Sequence, residues 1–208
     1  LVRSRGLGDV YKRQVAHCRP VAAALSAIGA HRLVFGMNTL MILVIARHIG
    51  SGDGVDRLSL VVGFTGAGAL VAAVLTPVAV ARFGRRTTLI AALAVGACAE
   101  LTVLSFDFAI ICAAALVLGL IGQVAKLCGD VAMQVDIDDT VRGQVFSVQD
   151  AVFNIAYVGA VAIAALVIPP DGRATWLVVF GVLLYLAGIV VVAVLHRHRP
   201  VPAPAVAR

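Results

Sequence analysis

A few polar side chains stand at helical spacing inside long apolar stretches. His31 and Asn38 lie seven residues apart, with Arg32 and Thr39 beside them. Gln123, Lys126 and Asp130 fall on one helical face, and so do Asp150, Asn154 and Tyr157 at i, i+4 and i+7. A polar group in lipid is costly unless it is paired or hydrated, so each of these is a functional candidate by default. The chemistry on offer is ligand binding, proton movement or a hydrogen bond between helices, and for each residue the packing role stays open beside the functional one. Glu100 is a further lone carboxylate, and on physical grounds alone it is a candidate proton carrier.

Other chemistry is missing its residues. There is no G-x-S-x-G, no H-E-x-x-H and no pair of intramembrane aspartates, so no catalytic group is expected and an intramembrane enzyme is a remote alternative. Asp136, Asp138 and Asp139 lack the glycine and closing glutamate of a calcium loop, so no metal site is expected there. Gly63, Gly66 and Gly68 have no preceding strand and are expected to serve close helix packing; no cofactor is expected. Cys18, Cys98, Cys112 and Cys128 form no C-x-x-C pair and read as small packing residues.

The elements that must position these groups are apolar spans. The 208 residues are 61% hydrophobic and only 13% charged, with a mean hydropathy of +1.01. A soluble domain is nearer half apolar and a quarter charged. Six stretches, about 21–46, 58–81, 88–104, 108–128, 144–168 and 174–195, each approach the ~20 apolar residues that cross a ~30 Å hydrocarbon core. An all-α membrane protein with one six-helix bundle over residues 20–197 is therefore expected. A polar loop is expected over Gly129–Gly143, where Asp138, Asp139 or Thr140 can cap the next helix and Arg142 can pair with one of them or with Asp150.

Basic residues orient the spans. Beyond the first fourteen residues, Arg19, Arg82, Arg85, Arg86, Lys126, Arg142, Arg197, Arg199 and Arg208 fall on one side, against Arg47, Arg57 and Arg173 on the other. Both termini are expected to be cytoplasmic. The net charge of +6 is thus explained by anchoring at a lipid bilayer, with no nucleic-acid partner expected. The first fourteen residues, LVRSRGLGDVYKRQ, resemble translated sequencing-adapter read-through, and residues 1–19 are expected to be non-native or a disordered basic segment. The Pro/Ala-rich residues 198–208 are expected to be disordered.

Two segments carry a family resemblance. The turn Pro77-Val-Ala-Val-Ala81-Arg82-Phe83-Gly84-Arg85-Arg86 resembles the cytoplasmic loop signature of the major facilitator superfamily (MFS), with Arg82, Gly84, Arg85 and Arg86 matching while Pro77 and Ala81 replace a Gly and an Asp. The segment from Gln123 to Phe146, in which an acidic run leads into Arg142-Gly143-Gln144-Val145-Phe146, is similar to the link between the tenth and eleventh spans of its drug-exporter-like members. The resemblance implies an MFS-type half bundle, spans seven to twelve of twelve, with the N-terminal half missing. It implies that the first, second, fourth and fifth spans line a cavity, which makes Arg32, Asn38, Gln123, Asn154 and Tyr157 the candidate substrate residues. It also implies that Arg82, Gly84, Arg85, Arg86, Lys126, Asp130, Arg142 and Asp150 form a cytoplasmic gate, and it leaves Glu100 peripheral. Plain positive-inside anchoring is the other reading of the arginines. The implied activity is transport by alternating access in a bacterial inner membrane, as a proton-coupled antiporter exporting drug-like or hydrophobic compounds. The partners would be the small-molecule substrate, protons and the other six-helix half. A six-span half-transporter or channel acting as a homodimer is the alternative.

Overall fold

The computed structural model describes residues 19–48, 54–137 and 139–195, and its elements are α1 (Arg19–His48), α2 (Gly54–Thr102), α3 (Phe108–Asp136), α4 (Asp139–Val167) and α5 (Thr175–Leu195). A short 3-10 turn, Val103–Ser105, precedes α3. No strand occurs among the described residues. The expected terminal segments and Asp138 lie outside the described residues, as do the side chains of Asp136, Asp139 and Thr140.

Among the described residues five helices are long and apolar enough to cross a membrane, against six expected spans, and the difference lies in α2. Its 49 residues would measure about 73 Å if straight, more than twice the ~30 Å hydrocarbon thickness. At Gly84 the backbone leaves the helical region (φ 78°, ψ 157°). This conformation suits glycine, which has no Cβ to clash. Gly84 divides α2 into two arms, and both reach the middle of α3. Gly68 on the first arm meets the backbone of Leu116 and Leu120, while Gly96 on the second meets Ile121. The chain therefore doubles back at Gly84.

The polar loop expected over Gly129–Gly143 is mostly helix, since α3 continues to Asp136 and α4 begins at Asp139. The i, i+4 pair Lys126–Asp130 and the buried Ala132 and Met133 carry the helix beyond the apolar span. Elsewhere the ends follow local chemistry. Asp107 caps α3, its carboxylate accepting from the N–H groups of Ala109 (2.9 Å) and Ile110 (3.2 Å). The turn before α5 closes with the Gly172 N–H donating to the Pro169 carbonyl and the Arg173 N–H to the Asp171 carboxylate.

Packing separates an interior from an apolar exterior. Met41, Ile45, Leu89, Leu93, Ile111, Ile121 and Met133 are fully buried. Leu60, Val74 and Val78 on the first arm of α2, Ile155, Val158 and Leu166 on α4, and Leu183 and Val190 on α5 are exposed. In water such a surface would aggregate; against acyl chains it is the required one. Helices approach through small residues. A Cβ on Gly68 would enter the Leu116 carbonyl, and one on Gly119 the Thr65 carbonyl, so α2 and α3 touch backbone to backbone. Of the three glycines expected to serve packing, only Gly68 makes such an approach, because Gly63 and Gly66 have open space around them.

Gly68→Ala and Gly119→Ala should each lose about 1–3 kcal/mol of stability by overpacking. Gly63→Ala should be neutral or slightly stabilising. Thermal unfolding of the purified protein in detergent checks the contrast.

Candidate functional site

Two adjoining cavities lie between α1, the first arm of α2 and α3. One, of about 210 Å³, is lined by Phe35, Asn38, Thr39, Leu58, Thr65 and Tyr157 among others, Tyr157 coming from α4. The other, of about 200 Å³, is lined by His31, Arg32, Phe35, Thr65, Gln123 and Lys126 among others. Phe35 and Thr65 line both, so the two adjoin; aliphatic and aromatic side chains dominate the first, while His31, Arg32, Gln123 and Lys126 make the second the more polar compartment. A larger groove of about 580 Å³ along Asp56, Ser59, Gly63 and Ala67 is a shallow surface on α2 and gathers no comparable set of polar groups.

The cavity walls are held by specific contacts. The Tyr157 hydroxyl donates to Thr39 Oγ1 at 3.4 Å, and Thr39 in turn donates to the Phe35 carbonyl at 2.7 Å. The ring of Phe35 sits 6.0 Å from that of Tyr157 and 5.8 Å from that of His31. A Cβ on Gly36 would meet the Tyr157 carbonyl and the Ala160 methyl, so α1 and α4 are close enough to bring Tyr157 inward. Thr65 donates to the Val61 carbonyl, which leaves its hydroxyl oxygen at the shared wall.

Behind α1 lies a buried polar cluster. Glu100, at 0% exposure, accepts a 2.7 Å hydrogen bond from Asn38 Nδ2 through Oε2, while Oε1 has no partner among the described residues. His31 Nδ1 and the Tyr185 hydroxyl share a 2.9 Å hydrogen bond. Two reciprocal fits seat this cluster between α2 and α5. Gly96 makes room for the Tyr185 ring, and Gly181 makes room for the Glu100 carboxyl; each glycine stands one turn from the polar residue on its own helix. Gly122 on α3 similarly accommodates the His31 ring.

The candidate substrate residues divide. Arg32, Asn38, Gln123 and Tyr157 line the two cavities, on three helices. Asn154 is exposed on α4 and lines neither, and Asp150 is exposed one turn before it. Asn38 is 4% exposed and reaches both ways, lining the apolar compartment while donating to Glu100. The buried contacts of Glu100 with Asn38 and of Tyr185 with His31 were not anticipated from the sequence. The available signal was the pairing of a glycine and a polar residue four apart, Gly96 with Glu100 and Gly181 with Tyr185.

The gate candidates gather toward one end. Lys126 Nζ lies 3.2 Å from Asp130 Oδ2. Arg85 lines a cavity of about 350 Å³ with Pro77, Leu127, Cys128 and Val131, which sets the Gly84 turn against the same end of α3. Arg86 donates to the Ala193 carbonyl on α5 at 3.4 Å, and the exposed Arg82 guanidinium lies 5.7 Å from the Phe83 ring. Arg142 Nη2 donates to the Ile137 carbonyl at 3.1 Å, tying the start of α4 to the end of α3.

The chain is 42% identical over 188 residues, 89% of its length, to two proteins named as uncharacterized MFS-type transporters, one from Mycobacterium bovis and one from Mycobacterium tuberculosis. It covers 43% of each, so the chain spans less than half the length of the curated relatives it matches. No family model matches the chain, and no solved structure matches it significantly. The chain is thus similar, over most of its own length, to proteins of the MFS type.

Removing the Asn38 amide would leave both Glu100 oxygens buried without a partner. Asn38→Ala should therefore lower stability by about 1–3 kcal/mol, whereas Glu100→Gln, which keeps an acceptor for Asn38, should cost less. Melting temperatures of the two variants in detergent give the comparison.

Proposed function

We propose that this chain is a six-span half of an MFS transporter and moves a small molecule across a bacterial inner membrane by alternating access, with both termini cytoplasmic. The observation that carries this reading is the pair of adjoining cavities. Polar and aromatic groups from α1, α2, α3 and α4 converge there, inside a bundle whose outer faces are apolar. Transporter sites of this kind lie near the bilayer midplane, between two bundles that rock against each other. The length of the curated relatives supports a second bundle as partner. A six-crossing path is supported by α2, whose two arms on either side of Gly84 each reach α3.

In this reading the Gly84 turn, the Lys126–Asp130 pair and Arg142 form the cytoplasmic gate, making and breaking contacts as the inner side closes and opens. Glu100 is the group in the bundle suited to carry a coupled proton. One of its oxygens is free of partners, and the other is reached through Asn38 from the cavity wall. Export of drug-like or hydrophobic compounds is supported by the apolar compartment around Phe35 and Tyr157.

Two experiments test the reading. Single cysteines at positions 56, 86 and 105, in a cysteine-free background, should label with an impermeant maleimide so that 56 and 105 share one side and 86 the other. Opposite sides for 56 and 105 would overturn the six-span path. For activity, the chain replaces the matched stretch of the M. tuberculosis relative, and accumulation of dansyl dyes is followed in energised inverted vesicles. The chimera should transport and the chain alone should not; transport by the chain alone would favour a homodimer of half-transporters. Arg142→Glu in the chimera should reduce the rate at least about tenfold with membrane insertion intact, and an unchanged rate would remove Arg142 from the gate.

A further inference from the structure

The polar compartment carries charge of one sign. Arg32 and Lys126 line it together with His31 and Gln123, and no carboxylate is among its lining residues. Lys126 is held by Asp130. Arg32 shows no hydrogen bond or ion pair among the described residues, and the basic side chains that share its compartment are His31 and Lys126. Glu100, the carboxylate buried in the bundle, is reached through Asn38 and does not line either compartment. Arg32 lies about 20 Å along α1 from Arg19, so it sits at mid-span and below the depth of lipid head groups. A half-buried guanidinium at that depth without a counter-charge is costly, and an anionic ligand group would offset it with charge-assisted, bidentate hydrogen bonds.

The adjoining compartment supplies the other half of the recognition. Phe35, Leu58, Val61, Leu118 and Tyr157 offer an apolar and aromatic wall directly continuous with the polar one. We propose that the paired cavities bind an amphipathic organic anion, with its carboxylate, sulfonate or phosphate on Arg32 and its hydrophobic body against Phe35 and Tyr157. This rests on the transport reading and names the substrate class for that site. It narrows the drug-like or hydrophobic class to compounds that also carry one anionic group.

The test uses three dansyl probes of similar size on the full chain in phosphatidylcholine nanodiscs: dansylglycine (anionic), dansylamide (neutral) and dansylcadaverine (cationic). Dansylglycine should bind about tenfold more tightly than dansylamide and more tightly still than dansylcadaverine. Arg32→Gln should erase the preference while retaining dansylamide binding, which also shows that the variant is folded. Arg32→Lys should keep part of the preference, and Arg173→Gln, at an exposed position outside the cavity, should leave it unchanged. Equal binding of the three probes, or a preference surviving Arg32→Gln, would overturn the anion proposal while leaving the cavity as a ligand site. Binding of none of the three would count against the transport reading itself. Loss of dansylglycine binding in phosphatidylglycerol nanodiscs would show that a lipid phosphate takes this position, and would overturn the substrate assignment.

Discussion

In a hydrocarbon solvent a polar group must find its partner within the protein, and that constraint organises this bundle. The hydroxyls of Thr39, Thr65, Thr76 and Thr88 each turn back to a carbonyl one helical turn earlier, at 2.6 to 2.9 Å, and so cross the span already satisfied. Larger groups require a neighbouring helix. Asn38 meets Glu100, His31 meets Tyr185, and Lys126 meets Asp130. Against this background two groups stand out among the described residues, Glu100 Oε1, buried without a partner, and the Arg32 guanidinium, half-buried at the wall of a cavity. The burial of Glu100 Oε1 is not compensated by a described neighbour and Arg32 faces open space, which is why the proton and ligand proposals attach to them.

Close approach of helices is what makes these pairings geometrically possible. Side chains as short as those of Asn and Glu cannot bridge helices held apart by bulky residues. Glycine at 96, 122 and 181 lets the Tyr185, His31 and Glu100 side chains into the contact zone, and glycine at 68 and 119 brings α2 onto α3 at the backbone. The same residues limit where the cavities can form. They open around Thr65, beside the Gly68–Leu116 contact, because the backbone contact fixes α2 and α3 while Phe35 from α1 spans the gap without filling it.

Much of the architecture was legible in the chain itself. Apolar length located the helices among the described residues, although two expected spans fall in the one helix α2, and the Arg82–Arg86 turn marked the reversal that Gly84 makes. Hydropathy misplaced the end of α3 because the Gly129–Asp136 segment is helical for local reasons, an i, i+4 ion pair and buried alanine and methionine, which a polar composition conceals. Helical spacing put Asp150, Asn154 and Tyr157 on one stripe, yet α4 turns only Tyr157 toward α1, where Gly36 admits it. Spacing defines a face but not the neighbour that the face meets. The surroundings of Glu100 were not legible for the same reason: they depend on Asn38 sixty-two positions earlier and on Gly181 in α5, and no local pattern joins the three.

The contacts also explain why α1 is the element through which cavity and carboxylate would communicate. Along fewer than three turns it presents His31 to α5, Arg32 to the polar compartment, Asn38 to the second arm of α2 and Thr39 to α4. A ligand seated on Arg32 and Phe35 would therefore press on the helix that holds the Asn38–Glu100 hydrogen bond. A shift of about an ångström along or around α1 would weaken that bond, since hydrogen bonds decline steeply with distance and angle. The charge state of Glu100 and the occupancy of the cavity would then be linked through one rigid helix, with no chain of intermediaries between them.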